Sequence, residues 1–187
     1  MDASEISPQV SWGTSPGHVI DINGFIPNPD EISDLSLRSS CLKAIDYMDL
    51  KPGQRMDSIS IDAAFICSCT NSRISDLRDV AKLVKGRKVS SGIKAIIVPG
   101  STQIKHQSES EGLDIIFKEA GFEWRESGCS MCFYVGGESF KNGSRVVSST
   151  NRNFENRQCP GIKTHLASPI TVAASAIKGK ITDVRKI

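Results

Sequence analysis

Long apolar runs are absent from this sequence, and so are long runs of basic residues. A membrane-spanning helix needs about 20 consecutive, mainly apolar residues, so none is predicted. The net charge of +2 is spread over both signs, which argues against a nucleic-acid-binding surface. The first residues have neither a basic start nor an apolar stretch, so no signal peptide is predicted. These absences favour a soluble, cytoplasmic protein.

Cysteine is also too scarce for a disulfide-stabilised scaffold, with six residues in 187. A chain of this length buries roughly 70% of the surface of its unfolded state, so it can hold an apolar core without cross-links. In a reducing compartment, the thiols remain available as metal ligands. The exception is Cys41, whose place in a helical apolar pattern predicts a core residue.

Short apolar runs alternate with helical patterns from residue 51 onward. Buried strands are predicted at residues 63–66, 94–98, 122–125 and 145–149. A helix with Asn71 or Ser72 as its N-cap is predicted after the first strand, and further helices are predicted at residues 108–120 and 169–178. This alternation predicts an α/β fold, a three-layer α/β/α domain with a mainly parallel sheet.

Residues 1–50 have a different character. Proline and glycine interrupt residues 1–33, and a helix is predicted at Leu35–Met48. We interpret residues 1–50 as an irregular arm and a helix that lead from a missing preceding domain, and residues 51–187 as the α/β domain. An arm that lies across its own domain is the alternative.

Three cysteines lie at the carboxyl ends of predicted strands. Cys69 follows the first strand, and Cys129 and Cys132 form a C-x-x-C pair after the third. Open parallel sheets bind their ligands at this edge. Three thiolates are one fewer than the four that complete a tetrahedral zinc site or an ordinary iron–sulfur cluster. The sequence therefore predicts a metal centre with one position open to substrate.

A polar segment at the same edge follows the fourth strand. It contains Asn151, Arg152 and Arg157. Guanidinium groups bind carboxylates through paired hydrogen bonds, and an amide can orient a carboxylate or a hydroxyl beside them. The position next to the cysteines favours a carboxylate-binding site, and an ordinary polar loop is the alternative.

Three motifs occur in a fixed order, namely Ser68-Cys69-Thr70-Asn71-Ser72, Gly128-Cys129-Ser130-Met131-Cys132 and Ser149-Thr150-Asn151-Arg152-Asn153-Phe154. In this order they resemble the aconitase superfamily, and within it the C-terminal part of the isopropylmalate dehydratase large subunits. The resemblance extends from Ser7 to the C-terminus.

The resemblance implies a [4Fe–4S] cluster, three irons of which are bound by Cys69, Cys129 and Cys132. The fourth iron would bind a hydroxyl and a carboxylate of the substrate, next to the amide and the arginines of the polar segment. The activity implied is that of a hydro-lyase in leucine biosynthesis. It would interconvert 2-isopropylmalate and 3-isopropylmalate by removing water and adding it back.

The resemblance also implies that domains and a subunit outside this chain contribute residues to the active site. In the family, earlier domains carry acidic and histidine residues of the active site. A separate small subunit, the partner in a heterodimer, supplies a serine base and a further substrate arginine. No catalytic residue of this chain is certain, and none of its three histidines is an obvious base. A structural hydrogen bond is expected for His165, and we expect the chain alone to be inactive.

The sequence departs from the family pattern at three places. Cys67 replaces the usual glycine, residues 133–137 differ after the C-x-x-C pair, and residues 158–162 replace a glycine-rich run. An aconitase- or homoaconitase-type hydro-lyase remains an alternative. So does a non-catalytic metal-binding remnant, in which Cys67 or Cys159 completes a four-thiolate zinc site.

Overall fold

The computed structural model of the protein describes residues 6–67, 69–134 and 139–187. Ser68, in the first cysteine motif, and residues 135–137, after the C-x-x-C pair, lie outside the described residues. Within the described ranges, none of the helices has the length and apolar character needed to cross a membrane.

The described residues form the predicted strands near residues 63, 94, 123 and 145, and further strands that were not predicted. The strands are β1 (Gln9–Ser11), β2 (Val19–Asp21), β3 (Ala63–Ile66), β4 (Lys94–Ile97), β5 (Glu123–Trp124), β6 (Arg145–Ser148) and β7 (Lys163–Leu166). The α-helices are α1 (Leu35–Met48), α2 (Ile74–Val84), α3 (Thr102–Ser110), α4 (Leu113–Ala120) and α5 (Pro169–Lys178).

Strands β3 to β7 form one sheet in the order β5-β4-β3-β6-β7, and every neighbouring pair is parallel. The predicted α/β class with a mainly parallel sheet is therefore confirmed. The chain adds β4 and β5 on one side of β3, and then β6 and β7 on the other side. The order reverses between β3 and β6, and a reversal of this kind opens a crevice at the carboxyl ends of the strands.

The two faces of the sheet have different coverings. One face, which includes Ile66 and Ile97, packs with apolar residues of α2, α4 and α5. The other face, which includes Phe65, packs against Met131 and Phe140 from the segments that follow β5. Full burial of a side chain of this size stabilises the fold by roughly 1.5–3 kcal/mol. Met131 therefore fixes the C-x-x-C segment to the sheet.

Two helices have the predicted bounds because clear signals flank them. Helix α1 begins after Asp34, whose carboxylate accepts hydrogen bonds from the backbone N–H groups of Ser36 and Leu37 at 2.8 and 2.9 Å. Helix α5 has Ser168 as its N-cap and Pro169 in its first turn. These are favoured residues at a helix N-terminus.

The predicted helix at residues 108–120 is wrong, because the chain forms two shorter helices there. Helix α3 begins earlier, after Ser101, whose hydroxyl accepts a hydrogen bond from the N–H of Ile104. Gly112 separates α3 from α4 with a φ of 71°, a left-handed conformation that glycine adopts without strain. A side chain at this position would oppose that conformation.

The predicted N-cap of α2 is also wrong. The helix begins at Ile74, and the Asp76 carboxylate accepts a hydrogen bond from the N–H of Arg73. The hydroxyl of Ser72 donates instead to the carbonyl of Val98 at 2.8 Å. It joins the loop after β3 to the residue that follows β4 instead of capping the helix.

The N-terminal arm contains the antiparallel pair β1–β2. Its residues Val10, Trp12 and Ile22 are buried in the same apolar cluster as the helix-covered face of the sheet. The boundary near residue 50 and a preceding domain both stay predictions.

Candidate metal centre

One cavity, with a volume of about 590 Å³, lies at the carboxyl ends of the strands. It collects all three predicted metal ligands and all three predicted substrate-binding residues. The residues that line it are Cys67, Cys69, Gly100, Gly128, Cys129, Cys132, Phe133, Asn151, Arg152, Phe154 and Arg157. The structure therefore brings the two predicted constellations into one site, while their individual roles remain predictions.

Hydrogen bonds on both sides of Cys69 hold its loop against β6. The backbone N–H of Cys67 donates to the hydroxyl of Ser149 at 3.0 Å, and that hydroxyl donates to the carbonyl of Cys67 at 3.1 Å. Beyond Cys69, the side-chain amide of Asn71 donates to the carbonyl of Ser149 at 2.6 Å. The Cys69 side chain, which is exposed, therefore extends from a short loop fixed at both ends.

A single 3-10 turn, Ser130–Cys132, presents the C-x-x-C pair. The N–H of Cys132 donates to the carbonyl of Cys129 at 2.8 Å, which closes the turn. Met131 is buried on the opposite side, and its carbonyl accepts a hydrogen bond from the amide of Gln158 at 3.1 Å. Met131 packs in the core, whereas Cys129 and Cys132 line the cavity.

Cys132 is the half-buried member of the pair, and its thiol has a low pKa. The pKa is lowered to about 6: the hydrogen bond from the Cys67 thiol lowers it most, burial acts in the opposite direction, and the hydrogen bond and charge of Arg157 also lower it. A thiolate is the form that binds metals. The surroundings of Cys132 therefore favour its ligand form.

The arrangement of the cysteines differs from that expected for a single metal ion. Across the described parts of the chain, no three His, Cys, Asp or Glu side chains are placed to hold one ion. In an iron–sulfur cluster, each thiolate binds a different iron, so the three sulfurs need not converge on one point. Of the two cysteines that could complete a zinc site, Cys67 lines the cavity and Cys159 does not, and even with Cys67 no three of these described thiols are placed to hold one ion. The site fits a cluster better than the four-thiolate zinc site.

The two arginines of the polar segment have different partners. The Nε of Arg157 donates to the carbonyl of Cys132 at 2.8 Å, and a terminal nitrogen donates to the Cys132 sulfur at 3.4 Å. Its guanidinium also lies over the ring of Phe154, 5.5 Å from the ring centroid. The Arg152 guanidinium lines the cavity and has no hydrogen bond or ion pair with the residues that the structure describes.

Asn151 connects the polar segment to the Cys69 loop. Its amide donates to the hydroxyl of Thr70 at 2.9 Å, and its carbonyl oxygen accepts from the amide of Asn71 at 3.2 Å. The amide of Asn151 is thereby held at the wall of the cavity, where a polar ligand group can bind.

Sequence reasoning missed Tyr47, which anchors the polar segment from helix α1. Its hydroxyl accepts from the N–H of Asn156 at 2.8 Å and donates to the carbonyl of Ile162 at 3.0 Å. Burial raises the pKa of Tyr47, so the phenol stays protonated and able to donate. Nothing in the apolar periodicity of α1 indicated this partner.

The predicted structural hydrogen bond of His165 is confirmed. The side chain is fully buried, with Nδ1 2.7 Å from the carbonyl oxygen of Ser11 and Nε2 2.9 Å from a guanidinium nitrogen of Arg145. Arginine can only donate, so Nε2 accepts and the proton lies on Nδ1. Among the described residues, the cavity itself is lined by no histidine, lysine or carboxylate.

A parallel sheet that places four cysteines, two arginines and an amide around one cavity at its switch point defines an α/β domain with a thiol-lined ligand site. The sequence model described as the Aconitase family (aconitate hydratase) matches residues 1–179, and the chain belongs to this family. The chain is also 59% identical over 186 residues to the 3-isopropylmalate dehydratase large subunit of Cupriavidus necator. That alignment covers 100% of this chain and 70% of the relative.

Proposed function

We propose that this chain is the cluster-bearing part of an isopropylmalate dehydratase large subunit. The enzyme would be a hydro-lyase of leucine biosynthesis that interconverts 2-isopropylmalate and 3-isopropylmalate by removing water and adding it back. The observation that carries the proposal is the single cavity shared by Cys69, Cys129 and Cys132 with the polar segment. The relative named for this activity supports the substrate class.

Cys69, Cys129 and Cys132 would hold three irons of a [4Fe–4S] cluster. The donor set supports this, because the thiols of these three residues line one cavity together with that of Cys67, with no carboxylate or imidazole beside them among the described residues. When bound, the cluster supplies a Lewis acid for the hydroxyl group and one carboxylate of the substrate.

The chain's own polar residues would bind and orient the dicarboxylate. Arg152, which lines the cavity without a described partner, can form paired hydrogen bonds with a carboxylate. Asn151 is held beside it by Thr70 and Asn71 and can bond to a hydroxyl or a carboxylate oxygen. Arg157, expected to bind a carboxylate, instead uses part of its guanidinium to hold Cys132.

The proton on carbon requires a base, and we propose that a small subunit supplies it. Elimination of water depends on a group that takes this proton within hydrogen-bond reach. The described lining of the cavity contains no carboxylate, histidine or lysine that could do so. The words "large subunit" in the relative's name support a heterodimer.

Anaerobic reconstitution with iron and sulfide tests the proposal. We expect about four irons and four sulfides per chain and a visible absorption band, with loss of both in Cys69→Ser, Cys129→Ser and Cys132→Ser. Cys159→Ser is the matched control, since Cys159 does not line the cavity, and it is expected to bind the cluster normally. One tightly held zinc, or a cluster that survives all three substitutions, would contradict the proposal.

Turnover is then measured on the reconstituted chain together with its small subunit. Conversion of 2-isopropylmalate to 3-isopropylmalate is expected, and it should be lost in Arg152→Gln because one carboxylate loses its paired hydrogen bonds. A cluster-loaded complex that converts an unbranched hydroxy-acid but not isopropylmalate would reject the substrate class.

A further inference from the structure

We propose that Phe133 and Phe154 form a subsite for the branched alkyl group of the substrate, so that Phe133 determines specificity. This inference rests on the proposed function. Both rings line the cysteine cavity, and their centroids are 6.4 Å apart with an interplanar angle of 59°. The two rings will be called the aromatic pair.

The aromatic pair is held in place by the chain segments that carry the metal ligand and the arginine. Phe133 directly follows Cys132, and the N–H of Tyr134 donates to the carbonyl of Arg157 at 2.8 Å. Arg157 in turn donates to the carbonyl of Cys132. These two backbone-directed hydrogen bonds bring the segments together, and the guanidinium of Arg157 covers part of Phe154.

Each ring of the aromatic pair still has a large free surface. Phe133 is 50% exposed and Phe154 is 46% exposed. Covering exposed apolar area of this kind with an apolar ligand group is favourable, because it removes that area from water. The polar groups of the cavity explain binding of carboxylates and a hydroxyl, but they leave the aromatic pair without a function.

Isopropylmalate carries an apolar group that can cover the aromatic pair. Its isopropyl branch is attached to one of the two carbons between which the hydroxyl moves, so it must lie in the same cavity as the cysteines. With the carboxylates directed to Arg152 and the cysteine side, the apolar wall left for the branch is the aromatic pair. An unbranched hydroxy-acid would leave both rings in water.

The expected size of the effect follows from the area covered. Burial of three carbons at about 0.8 kcal/mol each gives a preference of roughly 50-fold for the branched compound. If the two rings share this contact equally, loss of one ring lowers the preference about eightfold.

The test compares Phe133→Ala with the wild-type complex on two substrates. The ratio of kcat/KM for 2-isopropylmalate to that for unbranched malate is expected to fall about eightfold. Phe133→Leu, which keeps apolar bulk, should recover most of the ratio. Phe25→Ala is the matched control, because Phe25 is an exposed aromatic residue outside the cavity, and the ratio should not change.

Calorimetric titration gives a second readout that needs no turnover. The dissociation constants of 2-isopropylsuccinate and succinate, which lack the hydroxyl that leaves, should differ in the wild type and become more similar in Phe133→Ala. An unchanged ratio in both assays would overturn the inference. A wild-type complex that fails to convert isopropylmalate would reject the proposed function instead, and the two succinates would still decide the role of Phe133.

Discussion

Replacing His165 by glutamine is expected to remove a pH-dependent contribution to the stability of the fold. The imidazole is completely buried between Ser11 and Arg145. Burial first, and then the charge of Arg145, lower its pKa from 6.5 to about 3, while the hydrogen bond to Ser11 acts in the opposite direction. The folded protein therefore keeps this side chain neutral at every pH near neutrality.

The sign of the effect follows from proton binding. Below pH 6.5 the unfolded chain binds a proton at His165 and the folded chain does not, so the free energy of unfolding falls as the pH falls. The slope is about 1.4 kcal/mol per pH unit, which amounts to roughly 2 kcal/mol between pH 6.5 and pH 5. The contribution is complete above pH 6.5 and is lost progressively towards pH 3.

Urea unfolding of the reduced, cluster-free chain, followed by circular dichroism from pH 7.5 to pH 5, measures this slope. At pH 7.5 the glutamine variant should be less stable by about 1–3 kcal/mol, because a buried hydrogen-bonding partner is lost. That difference should shrink by about 2 kcal/mol at pH 5, since glutamine does not titrate.

Comparing the wild type with the glutamine variant cancels the pH-dependent effects of titratable groups that both proteins contain. The pKa of His18 is also lowered by burial, and its effect is common to wild type and variant. The pKa of Asp183 is lowered to about 2, so its contribution is lost only below the range of the assay. If the two stability curves run parallel from pH 7.5 to pH 5, a neutral buried His165 is refuted.

Three further substitutions test how the site is supported. Met131→Ala should lower the free energy of unfolding by about 2–5 kcal/mol and leave the C-x-x-C turn loose, measured by urea unfolding and by faster alkylation of Cys132. Tyr47→Phe should cost about 1 kcal/mol and increase amide exchange at Asn156, while exchange in the β-sheet stays unchanged. Gly112→Ala should cost about 1–2 kcal/mol, because alanine is strained at a φ of 71°, and an unchanged urea midpoint would contradict this.

Apolar periodicity was sufficient to predict most of the sheet. Strand β3 has the predicted residues 63–66 because all four side chains are buried between the two faces. Strand β7 was missed because Thr164 and His165 are polar. They are buried through hydrogen bonds to Gln158 and Arg145, and such partners leave no periodic pattern in a sequence.

The site was predictable in its position and less so in its contacts. Parallel strands end at one edge, so residues that follow different strands can be assigned to one cavity from the sequence alone. Which arginine faces a sulfur is decided by the path of the loop at residues 151–157. That path depends on Tyr47, more than 100 residues away in the chain, so the separate partners of Arg152 and Arg157 could not be predicted.

The fold itself already orders the two chain segments that carry the predicted cluster ligands. Ordering a backbone residue costs about 1–2 kcal/mol, so a loop that is already fixed binds metal more favourably than a loose one. One residue after β6, Ser149, holds the Cys69 loop on both sides, and Met131 and Gln158 hold the C-x-x-C turn. These supports come from the sheet and its buried face and do not depend on metal. Removing the hydroxyl of Ser149 should therefore impair cluster assembly at Cys69 while the turn at Cys129 and Cys132 stays in place.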